Sequence, residues 1–145
     1  MGKKRVALSS IIGCSVAAVL VATGAGTAQA ATGTKCSSWS PIKAGSNLLM
    51  RSCISSDDGG DYGYVQAYNP NSTSVIAGFK VKLYDSGWGS LSNQNSYSYW
   101  SVPAAGYRTW YTPYVIDNSW GPESVGGWVT LGGTERYSSV TESWY

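Results

Sequence analysis

The segment VIAGFKVKLYDSGWG, residues 75–89, constrains the fold more than any other part of this chain. Apolar and polar side chains alternate along it, and the apolar positions are Ala77, Phe79, Val81 and Leu83. A period of two indicates a β-strand with one buried and one solvent-exposed face. The turn-forming triplet 85–87 ends the strand. The rest of the chain is therefore expected to form sheet that packs over the apolar face.

The first thirty residues are predicted to be a signal peptide. The cations at 3–5 precede an apolar run over residues 6–22, and Ala28-Gln29-Ala30 has the small-residue pattern of a signal peptidase site. Cleavage after Ala30 leaves 115 of the 145 residues, from Ala31 to Tyr145. The expected location is therefore extracellular, with no retained membrane span.

The leader has two alternative interpretations, and the sequence disfavours both. A retained membrane helix is disfavoured because Gly24 and Gly26 interrupt the run short of the roughly 20 apolar residues that a span needs. Lipidation at Cys14 is disfavoured because apolar sequence continues over residues 16–22, where a lipoprotein has a polar tether.

Removal of the leader changes the charge and the cysteine count. It takes three of the ten Lys and Arg residues, which leaves seven against eight acids and a net charge of −1. A chain with this charge lacks the basic footprint of a nucleic-acid-binding protein, so no nucleic-acid partner is expected. Cys36 and Cys53 remain, and a disulfide between them is predicted to contribute about 3 kcal/mol.

Composition and strand spacing predict an all-β fold. The mature part is poor in charge, rich in Ser, Gly, Tyr and Thr, and shows no helical periodicity. About seven short strands separated by turns predict a single immunoglobulin-like antiparallel β-sandwich with one disulfide. Residues 62–68 are expected to pair with 75–84 as a hairpin. The tryptophans predicted on strands, expected to lie in the core, are Trp100, Trp110 and Trp128.

Two short motifs resemble known extracellular domains. The sequence FKVKLYDSG, from Phe79 to Gly87, resembles the strand motif of FxLYD domains, and VPAAG, from Val102 to Gly106, is similar to a turn of CARDB-like adhesion modules. The signal peptide looks like those of secreted actinomycete proteins. Both families are immunoglobulin-like sandwiches, so the resemblance implies that fold and carries over no binding residues.

The residue types argue against catalysis. The chain has no histidine, which removes the commonest general base and zinc ligand. No serine lies in a G-x-S-x-G motif, and the acids are scattered over turns and strand ends. We therefore expect a protein that is not an enzyme and that has no cofactor.

One acidic segment has residue types that suit a calcium site. Asp57, Asp58 and Asp61 lie close together in sequence, and hard cations prefer such clustered oxygen ligands. Their spacing does not match the D-x-D-x-D-G calcium loop, and Gly59 and Gly60 explain the segment as a turn. No metal site is predicted.

The aromatic residues are the candidate binding groups. Trp88 and Trp120 are predicted on loops, where an exposed indole offers a flat apolar face for stacking on a sugar ring or for anchoring in a protein. Capping of the sandwich ends is the structural alternative for both. Asp85 and Asp117 are expected to bond ligand hydroxyls nearby, and Tyr64 and Tyr68 to point outward from one strand.

These features favour a secreted, non-catalytic binding module for a cell-envelope or environmental polysaccharide. One alternative is a secreted protein-binding factor, such as an inhibitor of an extracellular enzyme, because a rigid sandwich presents loops at little entropic cost. Another is a surface or structural protein that self-associates through its tyrosine-bearing strands.

Overall fold

A computed structural model describes residues 33–57, 59–85, 89–92, 94–116 and 122–141 of the chain. The described residues form only strands, turns and irregular segments, and none of them lies in a helix. The strands are β1 (Gly33–Cys36), β2 (Ser40–Pro41), β3 (Leu49–Asp57), β4 (Gly60–Asn69), β5 (Val75–Tyr84), β6 (Ser90–Ser92), β7 (Ser98–Val102), β8 (Gly106–Tyr111), β9 (Val115–Ile116), β10 (Ser124–Leu131) and β11 (Thr134–Thr141).

The strands form two antiparallel sheets. The first sheet has the order β1-β3-β4-β8, with β2 added to β3 and β9 added to β4. The second sheet has the order β11-β10-β5-β6, with β7 paired to β5. The two sheets pack as a sandwich, which confirms the predicted all-β fold class. More strands are present than the seven predicted, because several short pieces extend the two sheets.

The core lies between the sheets and is made mostly of aliphatic side chains. The second sheet contributes the four predicted inward side chains of β5, at positions 77, 79, 81 and 83. Next to them on β10 lie Val125 and Val129. From the first sheet come Met50 and Ile54 of β3 and Val65 of β4. Phe79 is the one aromatic side chain that is fully buried in the described residues.

The predicted hairpin between residues 62–68 and 75–84 is wrong. β4 lies in the first sheet and β5 in the second, so the link between them crosses the sandwich. Buried Asn69 holds this crossing, because its Nδ2 donates to the carbonyl oxygens of Thr73 at 2.8 Å, Pro103 at 3.2 Å and Val102 at 3.3 Å. Its Oδ1 accepts the amide N–H of Asn71 at 3.1 Å.

The predicted disulfide is present and joins β1 to β3. Cys36 lies directly opposite Cys53 in the antiparallel pair, and the two Cα atoms are 4.0 Å apart. Residues directly opposite in such a pair point to the same side of the sheet. Cys53 also lies opposite Tyr64 of β4, so the disulfide belongs to the outer surface of the first sheet.

The strand tryptophans do not form the core. Trp110 packs against the edge of the core, where its Nε1 donates to Gln94 Oε1 at 2.7 Å. Trp100 stacks on Trp110 with the ring centres 5.7 Å apart and is 46% exposed. Trp128 points outward from the second sheet, because it lies opposite Lys80. The expectation of buried indoles is wrong for Trp100 and Trp128, because the aliphatic side chains fill the space between the sheets.

Candidate functional site

The structure places three of the six predicted site residues. Tyr64 and Tyr68 are half-buried on the outer face of the first sheet, as the alternation along β4 predicts. Asp85 follows β5 of the second sheet, so it is not brought together with the two tyrosines. The other three predicted site residues, Trp88, Asp117 and Trp120, lie outside the described residues.

Asp85 has a turn-forming role. Its Oδ1 accepts the amide N–H of Gly89 at 2.6 Å, and its own amide N–H donates to the Gly89 carbonyl oxygen at 2.9 Å. A carboxylate that accepts a backbone N–H a few residues ahead stabilises a tight turn. Asp85 is therefore held against Gly89 by two hydrogen bonds at the end of β5.

Tyrosines of β8 extend the aromatic surface of β4. Tyr111 lies directly opposite Tyr64, and Tyr107 lies directly opposite Tyr68, so all four side chains leave the same side of the sheet. Tyr107 is 57% exposed and Tyr111 is 53% exposed. The outer face of the first sheet thus carries two pairs of tyrosines. The two pairs are four positions apart along β4, which corresponds to roughly 13 Å.

The first aromatic cluster consists of Tyr68, Tyr107 and Trp39, and Trp39 comes from the segment between β1 and β2. The rings of Tyr68 and Tyr107 stack with their centres 4.6 Å apart. The Trp39 ring lies 5.9 Å from Tyr107 and 6.3 Å from Tyr68. Arg51 covers the indole, with its Cζ 4.5 Å from the Trp39 ring centre. This geometry is that of a cation–π contact, and it fixes both partners.

The second aromatic cluster lies at the other end of the face, over the disulfide. Tyr64 lies 5.5 Å from Tyr111 and 6.1 Å from Tyr62, measured between ring centres. The Tyr64 hydroxyl lies 3.9 Å from Cys36 Sγ. Partial burial raises the pKa of Tyr64 above its ordinary value, so its hydroxyl stays a neutral donor and acceptor.

A polar row separates the two aromatic clusters. Arg51, Gln66 and Thr109 lie directly opposite one another on β3, β4 and β8. Arg51 Nε donates to Gln66 Oε1 at 2.8 Å, and Gln66 Nε2 donates to Thr109 Oγ1 at 3.1 Å. Within the described residues, Nε makes the only hydrogen bond of this guanidinium.

We call this surface the tyrosine face, and it consists of Trp39, Arg51, Tyr62, Tyr64, Gln66, Tyr68, Tyr107, Thr109 and Tyr111. It offers two apolar stacking surfaces with a fixed row of hydrogen-bonding groups between them. The sequence signal for its β8 half was present, since Tyr107, Thr109 and Tyr111 alternate in the same way as Tyr64, Gln66 and Tyr68. The sequence does not show that β8 lies beside β4.

The acidic segment at the end of β3 is organised by a tyrosine. The Tyr114 hydroxyl donates to Asp57 Oδ1 at 2.5 Å, and the Gly59 amide N–H donates to the same oxygen at 3.0 Å. The hydrogen bond with Tyr114 lowers the pKa of Asp57. The Asp57 carboxylate in turn raises the pKa of Tyr114 to about 12. Asp61 is buried, and Asp58 lies outside the described residues.

The part of the chain that the structure describes shows neither a metal cluster nor a membrane-spanning helix. No group of three or more His, Cys, Asp or Glu residues there lies close enough together to hold a metal ion. None of the same residues belongs to a helix with the length and apolar character of a membrane span.

Fold and surface together define a two-sheet, disulfide-linked β-sandwich with an aromatic outer face. No protein-family model matches the chain, and no curated protein matches it. Among solved structures, the chain is similar to a protein from Archaeoglobus fulgidus known from its crystal structure, at 12% sequence identity and a TM-score of 0.32. That similarity covers 77% of this chain and 96% of the other.

Proposed function

We propose that this protein is a secreted, non-catalytic binding module that recognises a polysaccharide through the tyrosine face. The observation that carries the proposal is the pairing of Tyr64 with Tyr111 and of Tyr68 with Tyr107 across two neighbouring strands. Pyranose rings present apolar C–H faces that stack on aromatic rings, and their hydroxyls need hydrogen-bond partners at the ring edge. Aromatic clusters on both sides of a polar row offer both kinds of contact.

The polar row supplies orientation at little cost in entropy. Arg51 is held by Gln66 on one side and by Trp39 on the other, so few of its rotamers remain to be lost when a ligand binds. Gln66 is likewise held between its two neighbours in the row. A face on a sheet is also more rigid than a loop, which favours binding of an extended polymer. The disulfide supports export, because such bonds persist in oxidising compartments.

A sedimentation assay with insoluble polysaccharides tests the proposal. We expect the purified protein to be depleted from solution by chitin, cellulose or peptidoglycan. The double variant Tyr107→Thr, Tyr111→Thr is expected to bind about tenfold more weakly or worse, because it removes one exposed ring from each cluster. Threonine is a good strand former, so β8 is retained.

The control is Ile76→Thr, which makes the same kind of change at an equally exposed strand position of the other sheet. It is expected to bind like the unmodified protein. Equal binding by the Tyr107→Thr, Tyr111→Thr variant, or no depletion by any of the three polymers, contradicts the proposal.

A protein partner is the second candidate, because the same face combines Tyr, Trp and Arg. These three residue types are enriched at the energetic centres of protein interfaces. Salt separates the two candidates. Protein recognition with a charged rim weakens as ionic strength rises, whereas stacking on a neutral sugar changes little. Capture of a secreted protein that the double variant does not capture, together with no polymer binding, favours this candidate.

A further inference from the structure

The outer face of the second sheet carries a different set of aromatic and charged side chains. Lys80 of β5, Trp128 of β10 and Tyr137 of β11 lie directly opposite one another in three adjacent strands. They therefore point to the same side of the sheet, away from the core. Lys82 follows Lys80 by two residues and shares that side, and Tyr99 of β7 lies opposite the outward position of Gly78.

Two glycines of this face are covered by aromatic rings. A Cβ atom at Gly126 would lie 3.0 Å from Trp128 Cη2 and 3.1 Å from Tyr137 Cε2. A Cβ atom at Gly78 would lie 2.9 Å from the Tyr99 ring. These aromatic rings therefore pack against the backbone of the sheet at the two glycines, where no side chain intervenes. Glycine weakens a strand, and here its presence lets the rings present their faces to solvent.

The lysine at the centre of this face is fixed between rings. Lys80 Nζ lies 4.5 Å from the ring centre of Trp128 and 4.8 Å from that of Tyr97. Tyr97 in turn donates a hydrogen bond from its hydroxyl to Glu135. These cation–π contacts hold the ammonium group in place without neutralising its charge.

This side of the sheet carries two cations, Lys80 and Lys82, and one acid, Glu135, whereas residues 31–145 together carry a net charge of −1. Lys80 and Lys82 lie roughly 7 Å apart on one side of a strand, where like charges repel. Glu135 is directed toward Tyr97, and no ion pair of either lysine is seen in the described part of the chain. Two lysines on a flat aromatic surface complement an extended ligand that carries regular negative charges and flat apolar rings.

We propose that this surface is a second binding site, specific for an acidic polysaccharide such as a uronic-acid polymer. We call it the lysine face, and it consists of Lys80, Lys82, Tyr97, Tyr99, Trp128 and Tyr137. Sugar rings stack on Trp128, Tyr137 and Tyr99, and the carboxylates of successive sugars pair with Lys80 and Lys82. The tyrosine face has Arg51 as its one cation and lacks such a pair of neighbouring cations, and the pair sets the preference for a charged polymer.

The two faces lie on opposite sides of the sandwich, since each is the outer surface of one sheet. A molecule that binds a polymer on each face joins the two polymers. This consequence rests on the proposed function of the tyrosine face, whereas the lysine-face site itself does not.

Polygalacturonate and its fully methyl-esterified form are the probes for the lysine face, because they share a backbone and differ in charge. We expect the purified protein to be retarded in native gels that contain polygalacturonate and not in gels that contain the ester. Lys80→Gln and Lys82→Gln are each expected to weaken the binding about threefold, the size of an exposed ion pair. Tyr137→Thr is expected to weaken it about fivefold.

Lys43→Gln is the matched control, because it removes the same charge from an exposed turn outside both faces. It is expected to leave the retardation unchanged, and near-ultraviolet circular dichroism of each variant shows whether the fold is intact. Equal retardation by the ester, or an equal effect of Lys43→Gln, overturns the proposal. Retardation by single-stranded DNA and not by polygalacturonate also overturns it and assigns the face to nucleic acid.

A bridging assay separates failure of this site from failure of the tyrosine face. The protein is bound to the insoluble polymer that it prefers, and capture of labelled polygalacturonate from solution is measured. The double variant Tyr107→Thr, Tyr111→Thr is expected to lose bridging and to keep its retardation by polygalacturonate. Lys80→Gln is expected to keep its sedimentation and to bridge about threefold less. Retardation that is lost in the tyrosine variant overturns the assignment of two separate sites.

Discussion

Two adjacent glycines of β10 show how single positions shape both surfaces of a sheet. Gly127 points inward opposite Val81, where a Cβ atom would lie 2.4 Å from Ser52 Oγ and 2.9 Å from Val65 Cβ of the first sheet. Gly126 points outward, under the rings of the lysine face. The first glycine permits the close approach of the two sheets, and the second permits aromatic rings to lie flat.

Gly127→Ala is therefore expected to lower the free energy of unfolding by about 1–3 kcal/mol, because the added methyl group meets packed neighbours of the other sheet. Gly126→Ala is the matched control on the same strand. It is expected to cost only about half a kcal/mol, since the ends of two surface side chains can move aside. Urea unfolding with an unchanged m-value measures both. Equal losses in the two variants contradict the assigned packing.

At the scale of single strands, the sequence predicts which side chains point inward but not which strands meet. The alternation in β5 and β4 is local, because successive side chains of a strand leave opposite faces whatever the strand pairs with. The buried state of Phe79 and Val65 and the outward position of Tyr64 follow from it. The partner of each strand depends on contacts distant in sequence, such as those of Asn69, and the predicted hairpin was wrong for that reason.

The same division applies to the candidate site. Tyr64 and Tyr68 were predictable from strand period, and Arg51 and Trp39 were not. Arg51 falls in residues 48–54, where apolar side chains occupy both odd and even positions, so the pattern does not tell which side of the strand is buried. Trp39 reaches the face through a non-local contact with Tyr68 and Tyr107. A sequence shows aromatic residues on loops readily, whereas an aromatic cluster across strands requires the strand order.

The disulfide between β1 and β3 is expected to stabilise the folded protein. The double variant Cys36→Ser, Cys53→Ser is expected to lower the free energy of unfolding by about 3 kcal/mol. The disulfide joins residues 17 positions apart, and without it the unfolded chain gains conformational entropy. Reduction of the unmodified protein is expected to lower its urea midpoint in the same way. An unchanged midpoint after complete reduction contradicts this contribution. Reduction of the Cys36→Ser, Cys53→Ser variant is the control, and it is expected to have no effect.

At the scale of the whole molecule, the interior and the two outer surfaces of the sandwich differ in the aromatic side chains that they contain. Every Trp and Tyr among the described residues is half-buried or exposed, whereas the aliphatic side chains between the sheets are buried. A sandwich of this size fills its interior with Val, Ile, Leu, Met and one Phe, so its tyrosines and tryptophans cover the outside. Most of those in the described residues belong to the tyrosine face or the lysine face. The first face carries one arginine and the second two lysines, so we expect the two faces to differ in their response to salt.

Ionic strength is expected to separate the two binding activities of the intact molecule. The Debye length falls from about 10 Å at about 0.1 M salt to about 3 Å at about 1 M, so the pairing of Lys80 and Lys82 with carboxylates is screened. Stacking on the tyrosine face is insensitive to this change. We therefore expect the protein to stay on its insoluble polymer at high salt while it releases labelled polygalacturonate, and to capture it again after dilution. Simultaneous loss of both polymers contradicts two sites of different chemistry, because a single charged surface would then account for all of the binding.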